Sequence, residues 1–362
     1  MNKINDLFCQ SALKMAPYSP IEPPDQISKR LGLPEEKIVK LDANENPYGI
    51  SDAVLQALGK GKYYHIYPDP AQAQLREAIS QYTGCTPDMV VAGTGADELI
   101  DLTCRLLLEP GEKVLSFTPT FAYYPHVVSL NKGVYETYPR ESDYSISLDR
   151  CQKIDLQSVK LVIFTSPNNP SGNLLEEPVL DYFLSQNLVV LVDEAYFEFS
   201  QTSYQNKIKA HDNLIIIRTF SKCFGLAGLR VGYGIMSTNL ADGMMRIKPP
   251  YSVNVAAEVA LKNCLNNLPF YQNQVREISQ TRDWLSAELS QLKQLQVFPS
   301  QSNFILCRVI DADAVKLHAD LEKQGILIRY FSTNELKNNL RISIGTREQM
   351  ELFLDALGKM IT

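Results

Sequence analysis

The chain has 362 residues, 45% apolar and 21% charged, the balance of a globular protein with room for two domains and a large core. Its net charge of −6 and pI near 5.4 argue against a nucleic-acid or anionic-membrane partner. No apolar run approaches the roughly 20 residues needed to span a bilayer.

The N-terminal residues 1–8 show neither an uninterrupted apolar core nor a small-residue cleavage site, so a cytoplasmic protein without a signal peptide is expected. The cysteines Cys9, Cys85, Cys104, Cys151, Cys223, Cys264 and Cys307 are odd in number and never spaced Cys-x-x-Cys, which points to reduced thiols. His65, His126, His211 and His318 are dispersed without metal-ligand spacing, and no metal is expected.

Residues 1–40 are helical at best in short pieces. Pro17, Pro20, Pro23 and Pro24 bar a regular helix there and suggest an extended arm that carries Tyr18. The turn-rich segment from Leu41 to Tyr48 follows a short strand and contains Asn44 and Asn46. Tyr67, placed before Pro68, is expected to be extended with its phenol projecting, ahead of an amphipathic helix over 71–82. Val90-Val91 leads into Ala92-Gly-Thr-Gly-Ala-Asp-Glu98 and then an apolar helix. A glycine turn opening into a helix presents free backbone N–H groups at Gly95, Ala96, Asp97 and Glu98, a ready phosphate site. Its pattern is neither the P-loop nor the dinucleotide turn, so neither ATP nor NAD is indicated.

Strand–loop–helix alternations follow. Val114–Phe117 ends near Phe121, Leu161–Phe164 ends in Ser166-Pro-Asn-Asn-Pro-Ser-Gly172, and Leu188–Val192 ends in Asp193-Glu-Ala-Tyr196. Leu214–Arg218 ends in Ser221-Lys222, with Arg230 shortly after. Each apolar run closes on chemically capable residues, and parallel α/β sheets place ligands just outside the carboxyl ends of their strands. After Pro249-Pro250 the texture changes to long helical periodicity over 252–293, then short strands near 295–298, 304–307, 326–330 and 340–344, with helices near 311–324 and 347–361. The expected organisation is an N-terminal arm or part of the small domain over 1–40, a large α/β domain over 41–250 with a mostly parallel central sheet flanked by helices, and a smaller α+β domain over 251–362.

The strand ends together supply an imine-capable Lys222, a carboxylate at Asp193, an amide at Asn168, a phenol at Tyr196, an aromatic ring at Phe121 and a phosphate cradle at 95–98. Pyridoxal phosphate asks for these parts: its aldehyde needs a lysine, its ring nitrogen a carboxylate, its phosphate N–H groups, hydroxyls and an arginine. The ordered motifs resemble those of the fold-type I pyridoxal-phosphate-dependent aminotransferases. More narrowly, Asn44-Glu-Asn-Pro47, Tyr67-Pro-Asp69, Gly95-Ala-Asp-Glu98, Ala227-Gly-Leu-Arg230 and Leu340-Arg-Ile-Ser-Ile-Gly-Thr346 resemble the histidinol-phosphate aminotransferases.

The resemblance implies that Lys222 is the Schiff-base lysine and acid/base, its amine pKa lowered by cationic neighbours. It implies that Asp193 pairs with the ring nitrogen, that Asn168 and Tyr196 hold O3′, that Phe121 stacks, and that Ser221 and Arg230 join the cradle on the phosphate. Tyr67 would reach the cofactor of a second subunit, which implies a homodimer with active sites completed across the interface. Arg329, Arg341, Tyr18 and Asn44 would face a small phosphate-bearing amine and a 2-oxo acid. An aromatic amino-acid aminotransferase, a threonine-phosphate decarboxylase and a non-catalytic effector-sensing domain share the fold.

Overall fold

The computed structural model describes residues 4–15 and 22–361. Strands, in chain order, are β1 (Val39–Leu41), β2 (Val90–Gly93), β3 (Lys113–Thr118), β4 (Val134–Pro139), β5 (Val159–Thr165), β6 (Val189–Asp193), β7 (Leu214–Thr219), β8 (Gly232–Met236), β9 (Leu295–Val297), β10 (Phe304–Val309), β11 (Ile326–Tyr330) and β12 (Asn339–Ser343). Seven of them form a sheet in the order β2-β8-β7-β6-β5-β3-β4. All its neighbours run parallel except the pairs made by β8.

This sheet is covered on both faces, which is why its strands read as unbroken apolar runs. Alternate residues divide between two cores. Val162, Phe164, Val190, Val192, Leu214 and Ile216 belong to one, while Leu161, Ile163, Leu191, Ile215 and Ile217 belong to the other. The second sheet, β1-β11-β12-β10-β9, takes its first strand from the N-terminal part of the chain and the others from beyond residue 290. Segment 39–41 is thereby tied to the C-terminal sheet, and the residues that follow it are carried over the end of the large one.

The helices expected over 71–82, 311–324 and 347–361 lie at Ala73–Thr83, Ala314–Lys323 and Arg347–Ile361. The periodic stretch 252–293 is two helices, Val255–Leu265 and Leu268–Leu289. The break falls at Asn266 and Asn267, ahead of Pro269, which sits in the first turn where its missing N–H costs nothing. Pro24 does the same for the helix Pro24–Leu31, inside the region where prolines argued against one. No helix among the described residues is long and apolar enough to cross a membrane.

Candidate active site

The carboxyl ends of β3, β5, β6 and β7 open on a cavity of about 480 Å³, closed on its other side by residues 42–45 and by Arg329, Phe331 and Arg341. Asp193, the last residue of β6, is 4% exposed. Burial pushes its carboxyl up to about 6, against the pull of two hydrogen bonds. Tyr124 Oη donates to Oδ2 at 2.8 Å, and the Ala195 N–H donates to Oδ1 at 3.0 Å.

Lys222 reaches the same cavity from the turn after β7, and its Nζ donates to the Ala43 carbonyl at 3.0 Å. Its amine is pulled down to about 8, first by lost hydration and second by the Arg341 guanidinium. Cationic neighbours therefore contribute, but burial is the larger cause. The site thus couples an amine that is readily neutral to a carboxyl that ionises below neutrality.

One end of the cavity is built for an anion. The helix Gly95–Leu107 starts directly after β2, with Ala96 and Asp97 on the cavity wall. Gly95 has φ +77°, and a Cβ there would stand 2.6 Å from Arg230 Nη2. A Cβ on Gly232 would stand 2.6 Å from the Ala96 nitrogen, so β8 meets the helix start by bare backbone contact. Arg230, itself at φ +54°, holds Asp97 at 2.8 Å, and Ser221 Oγ accepts from Thr219 Oγ1 at 2.9 Å. The Glu98 side chain turns away from the cavity, so that residue could serve the cradle only through its backbone N–H. Its Oε2 accepts from the Thr94 N–H at 2.6 Å and from Ser252 Oγ at 2.8 Å, fastening the helix start to the 248–252 loop.

Asn168 is a correction to the expected site. It is fully buried and occupied away from the cavity, donating to the Pro119 carbonyl at 3.1 Å and to Ser171 Oγ at 2.7 Å while accepting from Thr120 Oγ1 at 2.9 Å. The next residue, Asn169, lines the cavity instead. It donates to Tyr196 Oη at 3.3 Å and accepts from Arg341 Nη1 at 2.7 Å. In an Asn-Asn dipeptide followed by proline, sequence alone did not say which amide faces inward.

Asn44, at φ +55°, donates to Tyr196 Oη at 2.9 Å and is braced by Ser343 Oγ, which donates to its Oδ1 at 2.7 Å. Arg341 Nη2 donates to the Asp42 carbonyl at 2.5 Å, and the guanidinium lies 5.4 Å from the Phe304 ring centre. Arg329 stands opposite Arg341 in strand register and also lines the cavity. Phe121 forms part of the wall, edge-on to Tyr124 at 5.6 Å. Tyr67 is 79% exposed, stacks on Tyr251 at 4.6 Å and is not part of this cavity wall. Tyr18 lies outside the described residues. Sequence reading missed Asn169, Tyr124 and the Asp42 and Ala43 carbonyls. Of these, only Tyr124 carried a signal, the aromatic run after β3.

An amine and a carboxylate facing one slot beside an anion cradle define a pyridoxal-phosphate enzyme. The chain belongs to the family of class I and II aminotransferases, whose model matches residues 36–357. It is 42% identical over 348 residues to the chloroplastic histidinol-phosphate aminotransferase of Nicotiana plumbaginifolia, covering 95% of this chain and 84% of that one. It is 40% identical over 325 residues to the histidinol-phosphate aminotransferase of Dehalococcoides mccartyi, covering 90% and 91%. The crystal structure of the histidinol-phosphate aminotransferase from Clostridium acetobutylicum superposes with a TM-score of 0.82 at 28% identity, over 89% of this chain and 99% of that one. The corresponding enzyme of Sinorhizobium meliloti, in complex with pyridoxal-5′-phosphate, shares the fold at a TM-score of 0.87 and 24% identity, over 98% and 97%.

The donor set fits pyridoxal 5′-phosphate. Lys222 supplies the amine, Asp193 the buried carboxylate and Tyr196 a phenol. At the anion end, the close glycine contacts leave backbone N–H groups of the helix start beside Arg230 and Ser221.

Proposed function

We propose that this enzyme moves an amino group between L-histidinol phosphate and 2-oxoglutarate, giving imidazole acetol phosphate and glutamate, as a step of histidine biosynthesis. The observation that carries the reading is the pair Arg329 and Arg341, which line the same cavity as Lys222. Two guanidinium groups suit a phosphate monoester in one half-reaction and a carboxylate in the other.

When bound, pyridoxal 5′-phosphate supplies an aldehyde and an electron sink. Lys222 would then serve as the acid and base of a 1,3-proton shift, its Nζ taking the proton from the amine-bearing carbon of the substrate and returning it two atoms away, across the nitrogen. An amine with a pKa near 8 exchanges protons readily around neutrality. Asp193, ionised above about pH 6, holds the proton on the ring nitrogen, and Tyr124 fixes the orientation of its carboxylate. Tyr196 and Asn169, hydrogen-bonded to each other, would hold the ring oxygen, and Asn169 also holds Arg341, which would take the substrate anion. Phe121 would stack on the ring. Ala96, Asp97, Ser221 and Arg230 would hold the phosphate, and Asn44 would act on the substrate by way of Tyr196.

The reading extends to a cytoplasmic homodimer, with a large domain over 41–250 and a smaller one over 251–362. Tyr67, exposed and stacked on Tyr251 beside exposed Tyr63 and Ile66, supports the view that this face meets a second copy and that Tyr67 reaches that copy's cofactor phosphate. Replacing Lys222 with Ala tests the assignment. Turnover and the visible absorbance that the protein acquires with pyridoxal 5′-phosphate should both vanish, with thermal unfolding still cooperative. A Lys222→Ala protein that transaminates normally refutes it.

A further inference from the structure

Glu194 follows Asp193 directly, and Arg218 lies four residues before Lys222. Side chains alternate faces along a strand, so these two charged groups point to the side of the sheet away from the catalytic cavity. There Arg218 Nε donates to Glu194 Oε2 at 2.9 Å and Arg218 Nη2 donates to Ser203 Oγ at 2.6 Å. Ser203 Oγ donates to Glu194 Oε2 at 2.9 Å, and the Tyr204 N–H donates to Oε1 at 2.8 Å. The Phe197 ring caps the guanidinium at 3.6 Å. Glu194 is 0% exposed and Arg218 2%. Arg218 also forms part of the wall of a separate groove of about 890 Å³, so the pair is walled off from the catalytic cavity by the sheet itself.

A buried ion pair is a costly source of stability. Desolvation takes back most of the attraction, and apolar residues of similar volume often do as well or better. What this pair supplies is geometry. β6 and β7 are adjacent, the Glu194 N–H donates to the Ile217 carbonyl at 2.7 Å, and a planar guanidinium with two directed donors accepts few relative placements of the two strand ends. Those ends carry Asp193 and Lys222.

We propose, on the transaminase reading above, that Glu194 and Arg218 form a positioning pair that fixes the spacing of Asp193 relative to Lys222, so that carboxylate and amine meet opposite ends of one cofactor ring. Neither residue touches substrate or cofactor. The titratable and charged groups around Lys222 are Arg341, Arg230, Glu45 and Asp97; those around Asp193 are Tyr124 and Asp97, with Glu194 acting on it only through the sheet; those around Arg218 are Glu194, Glu198 and Tyr233.

The test compares holoenzymes of the wild type, Arg218→Lys and the double variant Glu194→Met with Arg218→Met. It reads the thermal midpoint, kcat and KM in the glutamate half-reaction, and the pH midpoint of the absorbance band that Lys222 forms with the cofactor. Positioning predicts a double variant that folds and binds substrate with KM within about twofold, yet loses about tenfold or more in kcat and shifts its band midpoint by roughly half a unit or more. Arg218→Lys keeps the charge without the two directed donors and should shift both readouts the same way by less. If the double variant does not fold, Arg218→Lys alone decides by those two readouts. Variants with wild-type kcat and band midpoint overturn the positioning role and leave the pair a purely structural one. A wild-type protein that forms no band overturns the transaminase reading, and the positioning role with it.

Discussion

Changing Tyr124 to Phe removes one hydroxyl while leaving a buried ring in place. That hydroxyl donates at 2.8 Å to Asp193 Oδ2, and it also lies 2.6 Å from Thr165 Oγ1. A hydrogen bond to a charged partner is worth about 1.5–3 kcal/mol. At about 1.4 kcal/mol per unit, its loss raises the Asp193 carboxyl by roughly one to two units. From its value of about 6 the group would move to roughly 7–8, so at pH 7 it passes from about nine-tenths ionised to between half and about one-tenth ionised. A protonated Asp193 cannot hold a proton on the cofactor ring nitrogen. The dissociation constant for pyridoxal 5′-phosphate should therefore rise about two- to tenfold at pH 7 and return toward the wild-type value near pH 9. Equilibrium dialysis of the cofactor-free protein from pH 6 to pH 9 measures this. A variant-to-wild-type ratio that is flat across that range refutes the link between Tyr124 and the charge of Asp193.

The two neighbouring asparagines should separate cleanly. Asn169→Ala lowers kcat/KM by about tenfold or more with little loss of stability, whereas Asn168→Ala costs about 2–3 kcal/mol in denaturant unfolding by stranding its buried partners at Pro119, Thr120 and Ser171. Lys222 is held below its ordinary pKa of 10.5, so the folded chain binds fewer protons than the unfolded one between about pH 8 and 10.5, and stability rises with pH there. Cofactor-free Lys222→Met should accordingly be about 2–3 kcal/mol more stable than wild type at pH 7, a gap that closes toward pH 10.5 in urea titrations. Asp193 has the opposite sign. Its raised carboxyl favours the folded chain below about pH 4, and that contribution is lost as pH climbs through 6, so cofactor-free Asp193→Asn should flatten the wild-type decline in stability across this range. Arg341→Leu should raise KM for both the phosphate-bearing amine and 2-oxoglutarate by about tenfold or more; an unchanged KM for both removes the anion clamp.

Much of the site was legible because it sits where strand ends must converge. Leu188–Val192 and Leu214–Ile217 are apolar throughout, as strands buried on both faces are, and the parallel arrangement brings Asp193 and Lys222 to a common cavity. Lys222, Asp193, Tyr196 and Arg230 were readable for that reason. β8 was not, because glycines at 232 and 234 dilute its apolar pattern; Gly232 admits the close approach of the helix start. The direction of the Glu98 carboxylate was not legible, because its partner Ser252 lies 154 residues away. The choice between Asn168 and Asn169 likewise depends on Pro119 and Arg341, neither of which is local. The carbonyls of Asp42 and Ala43 act through the backbone, where the side-chain sequence carries no trace of them. Periodicity over 252–293 gave helix correctly but could not show the break at Asn266.

The most direct test of the account is a comparison of amino donors. Glutamate formation from 2-oxoglutarate is followed with L-histidinol phosphate, phenylalanine and tyrosine at equal enzyme concentration. The account predicts that histidinol phosphate exceeds both amino acids in kcat/KM by about tenfold or more, and that Arg341→Leu erases most of that margin. Phenylalanine or tyrosine surpassing histidinol phosphate would contradict it.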